Sequence, residues 1–281
     1  MNEIQIKAHA SRASVDRFLR HTAGIVNGVR ITGALSDSGK RADEEQPGTG
    51  CFVRWGRHHM ILTARHVIED APGAELRIFS YPAAGFKVQP SLEVTKKDIV
   101  EAIHLNSESS IHVCVWEDLA IVTVNPNDFP GAEFIDIGKD WADPVEGERV
   151  GCCGFPSDYH VTVAKTVIAE RELIDIGLLP IAFSESVLPV PDEQALKFKF
   201  REFDPGRHYL VPYPSSAVTQ HPRGISGAAM WWESDERLIV WRPNFKFAGT
   251  CISYYPKSEV LEVVKASVVR RFLGEVLGPF D

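Results

Sequence analysis

The 281-residue chain lacks any hydrophobic run approaching the length of a membrane span, and its first residues, MNEIQIKAHASR, contain no apolar stretch that could form the core of a signal peptide. We therefore expect a protein that stays in the cytoplasm and has no membrane partner. Basic residues are also in deficit, with 30 Lys and Arg against 38 Asp and Glu and a formal net charge of -8. Because such a field repels phosphate backbones, no nucleic acid partner is expected.

Cysteine is scarce and odd in number: Cys51, Cys114, Cys152, Cys153 and Cys251. Most of these residues lie in apolar runs such as VCVW and GTCISYY, which predicts reduced core residues rather than disulfides. No group of Cys and His has the spacing of a structural zinc site, and the adjacent Cys152 and Cys153 would point to opposite faces of a strand. We therefore expect no metal and no cofactor.

What the chain does contain, from residue 48 to about 255, is a series of short β-branched and aromatic runs separated by Gly, Pro, Asn and Asp. The runs are GCFVRW, HMILTA, ELRIFSY, IHVCVW, LAIVTV, RVGCCGF, KTVIAE, ALKFKF, AAMWW, LIVW and GTCISYY. So many short strands at this spacing predict an all-β fold of sandwiches or barrels rather than a βαβ sheet.

Helical spacing flanks this β region on both sides. After the possible N-cap Ser14, apolar and small residues recur at helical intervals: Val15, Phe18, Leu19, Thr22 and Ile25. GVRITGAL then predicts a strand, and the polar run of residues 36–48 predicts a surface loop. At the other end, SEVLEVVKASVVRRFLGEVLGPF predicts a helix with one apolar face, formed by Val260, Leu261, Val264 and Val268.

The segment HPRGISGAAMWW sets Ser226 between Gly224 and Gly227, directly after a proline-containing turn. Such a serine is either a turn residue or a nucleophile whose neighbours present bare backbone N–H groups. Hydrolysis by a serine requires a base and a third group that orients the base. His66 follows the apolar strand of ILTARHVIED, and Asp118 precedes the apolar strand of WEDLAIVTV, so both are candidates for these roles.

The order His66, Asp118, Ser226 discriminates between hydrolase folds. An α/β-hydrolase needs its histidine after the nucleophile, and no histidine follows His221. The order of subtilisin would require Asp37 or Asp43, and both lie in the predicted loop, where a group is poorly held. That order is therefore disfavoured.

The blocks TARHV, DLAIV and GISGA resemble, in the same order, the three signature blocks of the chymotrypsin-like, or trypsin-like, serine peptidases. ERVGCCGFP is similar to a G-[YF]-P strand common in the bacterial branch, and FAGTCIS is similar to the strand that lines the substrate cleft. The resemblance, to a bacterial intracellular type, covers residues 48 to 255. It implies two six-stranded antiparallel β-barrels packed face to face, with the active site in the crevice between them.

The resemblance also implies a division of the chain. Residues 1–47 would form an N-terminal helix and surface loop, residues 48–140 the first barrel, residues 141–256 the second barrel, and residues 257–281 a C-terminal helix. The first barrel would carry the base and its orienting group, and the second barrel would carry the nucleophile.

By matching positions, the resemblance implies that Ser226 is the nucleophile, His66 the general base and then acid, and Asp118 the group that orients the imidazole. The backbone N–H groups of Gly224 and Ser226 would form the oxyanion hole. Gln220 matches the base of the primary specificity pocket, where a neutral amide does not favour Lys or Arg. Further substrate-binding positions at the edge of the cleft are Thr250, Cys251, Ile252 and Ser253.

Three residues depart from the family pattern. Val67 stands where secreted members carry a cysteine, which fits a reducing compartment. Ile225 stands where Asp or Asn is common. Activation by an ion pair between a newly cut N-terminal ammonium and an acidic side chain at this position is therefore excluded. Either the site forms without cleavage, or a partner or the N-terminal segment organises it. Arg65, next to His66, is unusual and has no explanation from the sequence.

The sequence thus predicts a serine endopeptidase that acts on polypeptides through an acyl-enzyme. Because an uncontrolled endopeptidase would damage the cell, we expect gating by a regulatory protein partner or a signal. The alternative is a binding or scaffold module on the same fold, whose catalytic residues are retained but never assembled. The apolar Ile225, in place of the usual Asp or Asn, is compatible with this alternative. The sequence does not separate a peptidase from an esterase, since both use the same acyl-enzyme chemistry.

Overall fold

The computed structural model describes residues 18–28, 46–69, 75–80, 103–104, 111–156, 160–168, 171–178, 181–200, 203–215, 222–233 and 245–280. Within these ranges the chain is mostly β-structure, with a helical turn at residues 18–21 and three α-helices: α1 (Arg65–Glu69), α2 (Glu193–Phe198) and α3 (Ala266–Leu277). None of the described helices is long and apolar enough to cross a membrane.

The first sheet is formed by β1 (Thr22–Gly28), β2 (Gln46–Trp55), β3 (His58–Ala64), β4 (Glu75–Ser80), β5 (Ile103–His104), β6 (Ile111–Cys114), β7 (Leu119–Thr123) and β8 (Ile135–Asp136). Its order is β5-β4-β1-β2-β3-β7-β6, and β8 pairs with β2. β2 and β3 form a hairpin through Gly56, whose φ of 55° suits the first position of a tight hairpin loop. This hairpin leads the chain to His66.

The second sheet is formed by β9 (Arg149–Gly154), β12 (Ile181–Ser186), β13 (His208–Pro212), β14 (Ala229–Glu233), β15 (Phe245–Tyr255) and β16 (Val260–Lys265). Its order is β12-β9-β14-β15-β16-β13. A separate hairpin joins β10 (His160–Ile168) to β11 (Arg171–Leu178). The predicted all-β fold of two six-stranded units is confirmed, since the first sheet has six longer strands besides the two-residue β5 and β8.

One core cluster joins the two sheets and α3. It includes Phe52 of β2, Trp231 of β14 and Phe272 of α3, each less than 5% exposed. A second cluster lies within the second sheet. Cys153 belongs to the first cluster and Cys152 to the second, so the prediction that the two side chains lie on opposite faces of a strand is confirmed.

The N-terminal helix ends earlier than predicted. It ends at residue 21, and Thr22 and Ile25 lie in β1 instead, because this segment pairs with β2 on one side and β4 on the other. The backbone groups of the segment are therefore bonded in a sheet, which overrides helical side-chain spacing. β2 begins at Gln46, inside the predicted surface loop, while most of GVRITGAL lies outside the described residues.

Two other secondary-structure predictions were wrong. ALKFKF is not a strand, because the Asp192 side chain accepts a hydrogen bond from the N–H of Ala195 at 2.7 Å and starts the helix α2. The predicted C-terminal helix of residues 257–281 begins only at Ala266, since Val260–Lys265 forms β16 between β15 and β13. α3 packs on β15 and β16, as expected for a helix on the second unit.

Candidate active site

His66 lies where a buried strand turns into a short helix. Residues 60–64 of β3 are all buried, and α1 begins at the next residue, Arg65. The backbone before His66 is therefore held on both faces by the core. Its side chain is 37% exposed, so the ring can contact both solvent and neighbouring protein groups.

Asp118 is bonded to His66 through both oxygens of its carboxylate. Its Oδ2 lies 2.5 Å from Nδ1 of His66, and its Oδ1 accepts from the backbone N–H of His66 at 3.2 Å. A carboxylate bound in this way determines which ring nitrogen carries the proton and how the ring is oriented. The structure thus brings together two of the predicted catalytic residues from positions 52 residues apart.

The backbone of Asp118 is strained. It has a φ of 49°, a left-handed conformation that is uncommon outside glycine and that costs on the order of 1–3 kcal/mol. Asp118 ends the turn between β6 and β7, where its N–H donates to the carbonyl of Val115 at 3.4 Å and its carbonyl accepts from the N–H of Arg65 at 2.8 Å. These bonds hold the conformation that directs its carboxylate to His66.

Arg65, which the sequence left unexplained, lies against the same carboxylate. Its Nε is 3.4 Å from Oδ1 of Asp118, and both side chains are about one quarter exposed, at 28% and 25%. The guanidinium therefore places a positive charge on the side of Asp118 that does not face the imidazole ring. Its backbone N–H bond to Asp118 adds a second link between α1 and the β6–β7 turn.

The turn that carries Ser226 is bound to the start of β2. The carbonyl of Ser226 accepts from the N–H of Thr49 at 3.0 Å, and the carbonyl of Gly224 accepts from the Thr49 hydroxyl at 2.7 Å. The same hydroxyl accepts from the N–H of Phe155 at 2.9 Å. Thr49 is fully buried and connects the first sheet to the turn that carries Ser226 and to the end of β9.

Gly227 brings this turn against the end of β3. A Cβ added to it would lie 1.9 Å from the carbonyl oxygen of Thr49 and 2.3 Å from the hydroxyl oxygen of Thr63, and its φ is 89°. No other residue fits such a close approach with such a backbone. Because Thr63 and Ala64 lie immediately before Arg65 and His66, Ser226 lies beside the segment that carries the imidazole.

Gly224 occupies the third position of a tight turn. The N–H of Ile225 donates to the carbonyl of Pro222 at 2.9 Å, and the φ of Gly224 is 96°, which is the geometry of a type II turn. Among the described residues, the backbone N–H groups of Gly224 and Ser226 have no hydrogen-bond acceptor. Two such N–H groups, one on each side of Ile225, are what an oxyanion hole requires.

Ile225 anchors the turn. Its side chain is fully buried in the core cluster of the second sheet, together with Ala228 and Val211. Where the family pattern often has a polar or acidic residue, this chain therefore has an apolar contact with the core. The conformation of the turn is held by packing, with no ion pair at this position.

The predicted substrate-binding residues are buried to different degrees. Thr250 and Cys251 are at most 1% exposed, Ile252 is 9% exposed, and Ser253 is half-buried. Gln220 and His221 lie outside the described residues. Burial, together with the nearby charge of Glu262, raises the pKa of the Cys251 thiol to about 12, so this cysteine remains protonated and is not a competing nucleophile.

Sequence reasoning missed two residues that hold the site. Thr49 carried only a weak signal, a polar residue between two glycines at the start of a strand. Glu117, directly before Asp118, is 5% exposed and contacts the second sheet, although nothing in its local sequence distinguishes it from a surface glutamate.

Comparison with known proteins agrees with this architecture. A model of the trypsin-like peptidase domain matches residues 48–173. No curated protein matches the chain. Its fold is similar to that of an inactivated protease paralogue of the scabies mite, with a TM-score of 0.50, 11% identity and coverage of 94% of this chain and 96% of that one. It is also similar to human heparin binding protein, with a TM-score of 0.50, 10% identity and 93% coverage of each chain.

A serine endoprotease from Yersinia pestis aligns with a TM-score of 0.49 and 12% identity over 96% of this chain and 68% of that one. At such identities the structural likeness bears on the fold alone. The match to the peptidase domain adds a sequence signature over residues 48–173. The chain therefore has a chymotrypsin-like fold, and residues 48–173 match the trypsin-like peptidase domain.

Proposed function

We propose that this protein is a serine endopeptidase that cleaves polypeptides through an acyl-enzyme intermediate. The observation that supports this most directly is the 2.5 Å contact between Nδ1 of His66 and Oδ2 of Asp118, next to the turn that carries Ser226. A histidine held in this way by a carboxylate is the arrangement that activates a serine hydroxyl.

In the proposed mechanism, Nε2 of His66 takes the hydroxyl proton of Ser226 while Oγ attacks the substrate carbonyl carbon. The negative charge that develops on the carbonyl oxygen is stabilised by the N–H groups of Gly224 and Ser226. The imidazolium then gives its proton to the leaving amine, and the C–N bond breaks to leave an ester on Ser226. Water, deprotonated by His66, hydrolyses that ester and restores the hydroxyl.

Burial of Ile225 supports a site that forms without cleavage of the chain. A side chain packed in the core holds the turn from Pro222 to Ala228 without the charge pair that a new N-terminus would supply.

Substrate contacts from Thr250 and Cys251 would come from their backbone, because their side chains are buried. Gln220 at the base of the specificity pocket would favour neutral side chains over Lys and Arg.

We also propose that activity is gated by a protein partner or another signal. The purified chain alone is then expected to degrade unfolded casein only slowly, and addition of the activating partner is expected to accelerate the reaction. Rapid cleavage of casein by the chain alone would rule out strict gating without affecting the assignment of the catalytic residues.

A fluorophosphonate probe tests the proposed function directly, because it labels only an activated serine. We expect the wild type to be labelled at Ser226 and Ser226→Ala to remain unlabelled, with mass spectrometry locating the modified residue. One structurally similar protein is described as an inactivated protease paralogue, so the fold alone does not decide activity. A wild type that resists labelling under every condition tested would favour the binding or scaffold alternative. Parallel assays on ester and peptide substrates would separate an esterase from a peptidase.

A further inference from the structure

Glu117 is a buried carboxylate whose ion-pair partners belong to the other sheet and to α3. Its Oε1 lies 3.0 Å from Nη1 of Arg207 and 3.6 Å from Nη2 of Arg271, and its Oε2 lies 3.4 Å from Nε2 of His208. The Glu117 side chain is only 6% exposed. A residue of the β6–β7 turn in the first sheet is thus held by groups of the second sheet and the C-terminal helix.

These contacts belong to a larger cluster of ionisable groups, of which Glu117, His208 and Glu262 are buried. Nδ1 of His208 lies 2.8 Å from Oε1 of Glu262 on β16, and both side chains are 4% exposed. The hydroxyl of Tyr255 donates to Oε2 of Glu262 at 2.6 Å. Arg207 also pairs through Nε with Oδ2 of Asp204 at 2.8 Å. Both sides of the His208 ring therefore face a glutamate, one from each sheet.

The position of Glu117 in the chain connects this cluster to the candidate site. Asp118 follows directly and holds a left-handed φ of 49°, a conformation that persists only where the surroundings enforce it. A buried carboxylate with close cationic partners has few alternative positions, because leaving them would leave charges buried and unpaired. The ion pairs of Glu117 therefore restrain one side of the peptide bond to Asp118, and the bonds to α1 restrain the other side.

We propose that Glu117 is a positioning residue that aligns Asp118 with His66 and makes this alignment depend on the packing of the second sheet. The inference rests on the proposed function. A change of partners at His208 or Arg207 would alter the reactivity of Ser226 without contact with substrate. The cluster is in this way a route by which a ligand or protein bound at the second sheet would affect the catalytic pair.

The test compares Glu117→Gln with Asp136→Asn. Both changes remove the charge of a buried carboxylate that pairs with an arginine, but Asp136 pairs with Arg54 at 2.8 Å on the β2–β8 side of the first sheet. Fluorophosphonate labelling of Ser226 is measured per folded molecule, well below both melting temperatures. We expect Glu117→Gln to slow labelling by about 2- to 30-fold, the usual range for coupling through residues that touch no ligand, and Asp136→Asn to leave it unchanged.

A double-mutant cycle distinguishes positioning from general destabilisation. If Glu117 acts through Asp118, Glu117→Gln in an Asp118→Asn background slows labelling no further. Equal slowing by Glu117→Gln and Asp136→Asn, or additive effects in the double variant, would overturn the inference. Should Glu117→Gln fail to fold, His208→Gln removes one of the partners of Glu117 instead and is expected to slow labelling in the same way. An unchanged rate there would likewise overturn the inference.

Proton NMR on ¹⁵N-histidine-labelled protein separates failure of the inference from failure of the proposed function. The ring proton shared by His66 and Asp118 is followed in wild type, Glu117→Gln and Asp136→Asn. Absence of labelling in the wild type under every condition tested would overturn the proposed function. Loss of this resonance in Glu117→Gln alone would still support positioning. An unaltered resonance in Glu117→Gln would overturn the inference whether or not the wild type is labelled.

Discussion

At the scale of a single residue, Asp118 is constrained in two ways. Its backbone adopts a left-handed conformation, and its carboxylate contacts both His66 and Arg65. The identity of residue 227 is also constrained, because only a residue without a side chain can lie against Thr49 and Thr63. Gly227 lies against Thr63 and Ala64, directly before His66, and Asp118 contacts His66 itself. Substitution of Asp118 tests the chemistry of the site, and substitution of Gly227 tests its packing.

Replacing Asp118 with Asn is expected to slow labelling of Ser226, and peptide hydrolysis, by on the order of 10⁴. An amide of the same shape cannot stabilise the imidazolium, and it favours the wrong tautomer of His66. Rates are measured with the fluorophosphonate probe, and circular dichroism checks that the variant is folded. A loss smaller than tenfold would show that this carboxylate is not the orienting group.

Gly227→Ala is expected to destabilise the fold by roughly 2–5 kcal/mol, because it combines the left-handed backbone penalty with a clash against the Thr49 carbonyl. Gly147→Ala is the matched control, since Gly147 has a similar φ of 84° and nothing within 4 Å of an added Cβ. The control is expected to lose only about 1–2 kcal/mol. Urea unfolding measures both, and equal losses would contradict the crowding described for Gly227.

At the scale of elements, the turn from Pro222 to Ala228, which carries Ser226, shows how an irregular segment is held in one conformation. Its own hydrogen bonds close the turn, Thr49 binds it to β2, and Ile225 packs into the core of the second sheet. The packing contact takes the place of a charged or polar side chain at the position before Ser226. The turn is therefore sensitive to the polarity of residue 225.

Ile225→Asn is expected to reduce labelling of Ser226 by about 10²- to 10³-fold, the range seen when an oxyanion donor is lost, because a buried amide without partners displaces the turn. Ile225→Val, which keeps an apolar side chain, is expected to lower stability by only about 0.5–1.5 kcal/mol and to retain labelling. Both rates are compared per folded molecule. Full labelling of Ile225→Asn would mean that core packing does not maintain the turn.

At the scale of the whole molecule, four of the five cysteines are buried and all five are free thiols. Burial raises the pKa of Cys51 and of Cys152 well above the ordinary value for a thiol. It also raises the pKa of Cys153 to about 12. The folded state therefore holds these groups protonated at pH values at which the unfolded chain has begun to lose their protons.

Stability is accordingly expected to be retained below about pH 9 and to fall as the pH rises toward 12. For a group whose pKa is raised by folding, the unfolded chain binds fewer protons in this window, and each such thiol contributes a loss on the order of 1 kcal/mol per pH unit. Urea unfolding at pH 8 and pH 10 measures the loss. Cys153→Ala is expected to show a smaller loss than wild type, and an identical pH dependence would contradict the raised pKa of Cys153.

Much of the outline could be predicted from residues close together in sequence. The short apolar runs HMILTA and LAIVTV predicted β3 and β7, and the resemblance carried by the blocks around His66, Asp118 and Ser226 predicted two barrels with a site between them. The local pattern predicted the wrong secondary structure where a helix cap or a strand partner distant in sequence decided the conformation. The Asp192 cap turned ALKFKF into a helix, and pairing with β15 and β13 turned Val260–Lys265 into a strand.

The sequence by itself determined the residue types, their order along the chain and the strands that carry them, since side-chain periodicity and turn chemistry act between near neighbours. Only the tertiary structure decided what supports the site: the bonds of Thr49 to a turn 175 residues away, the burial of Ile225, and the ion pair between Glu117 and Arg207 across 90 residues. A buried charge or hydroxyl acquires its role from the partners that folding brings to it, and those partners have no local signature in the chain.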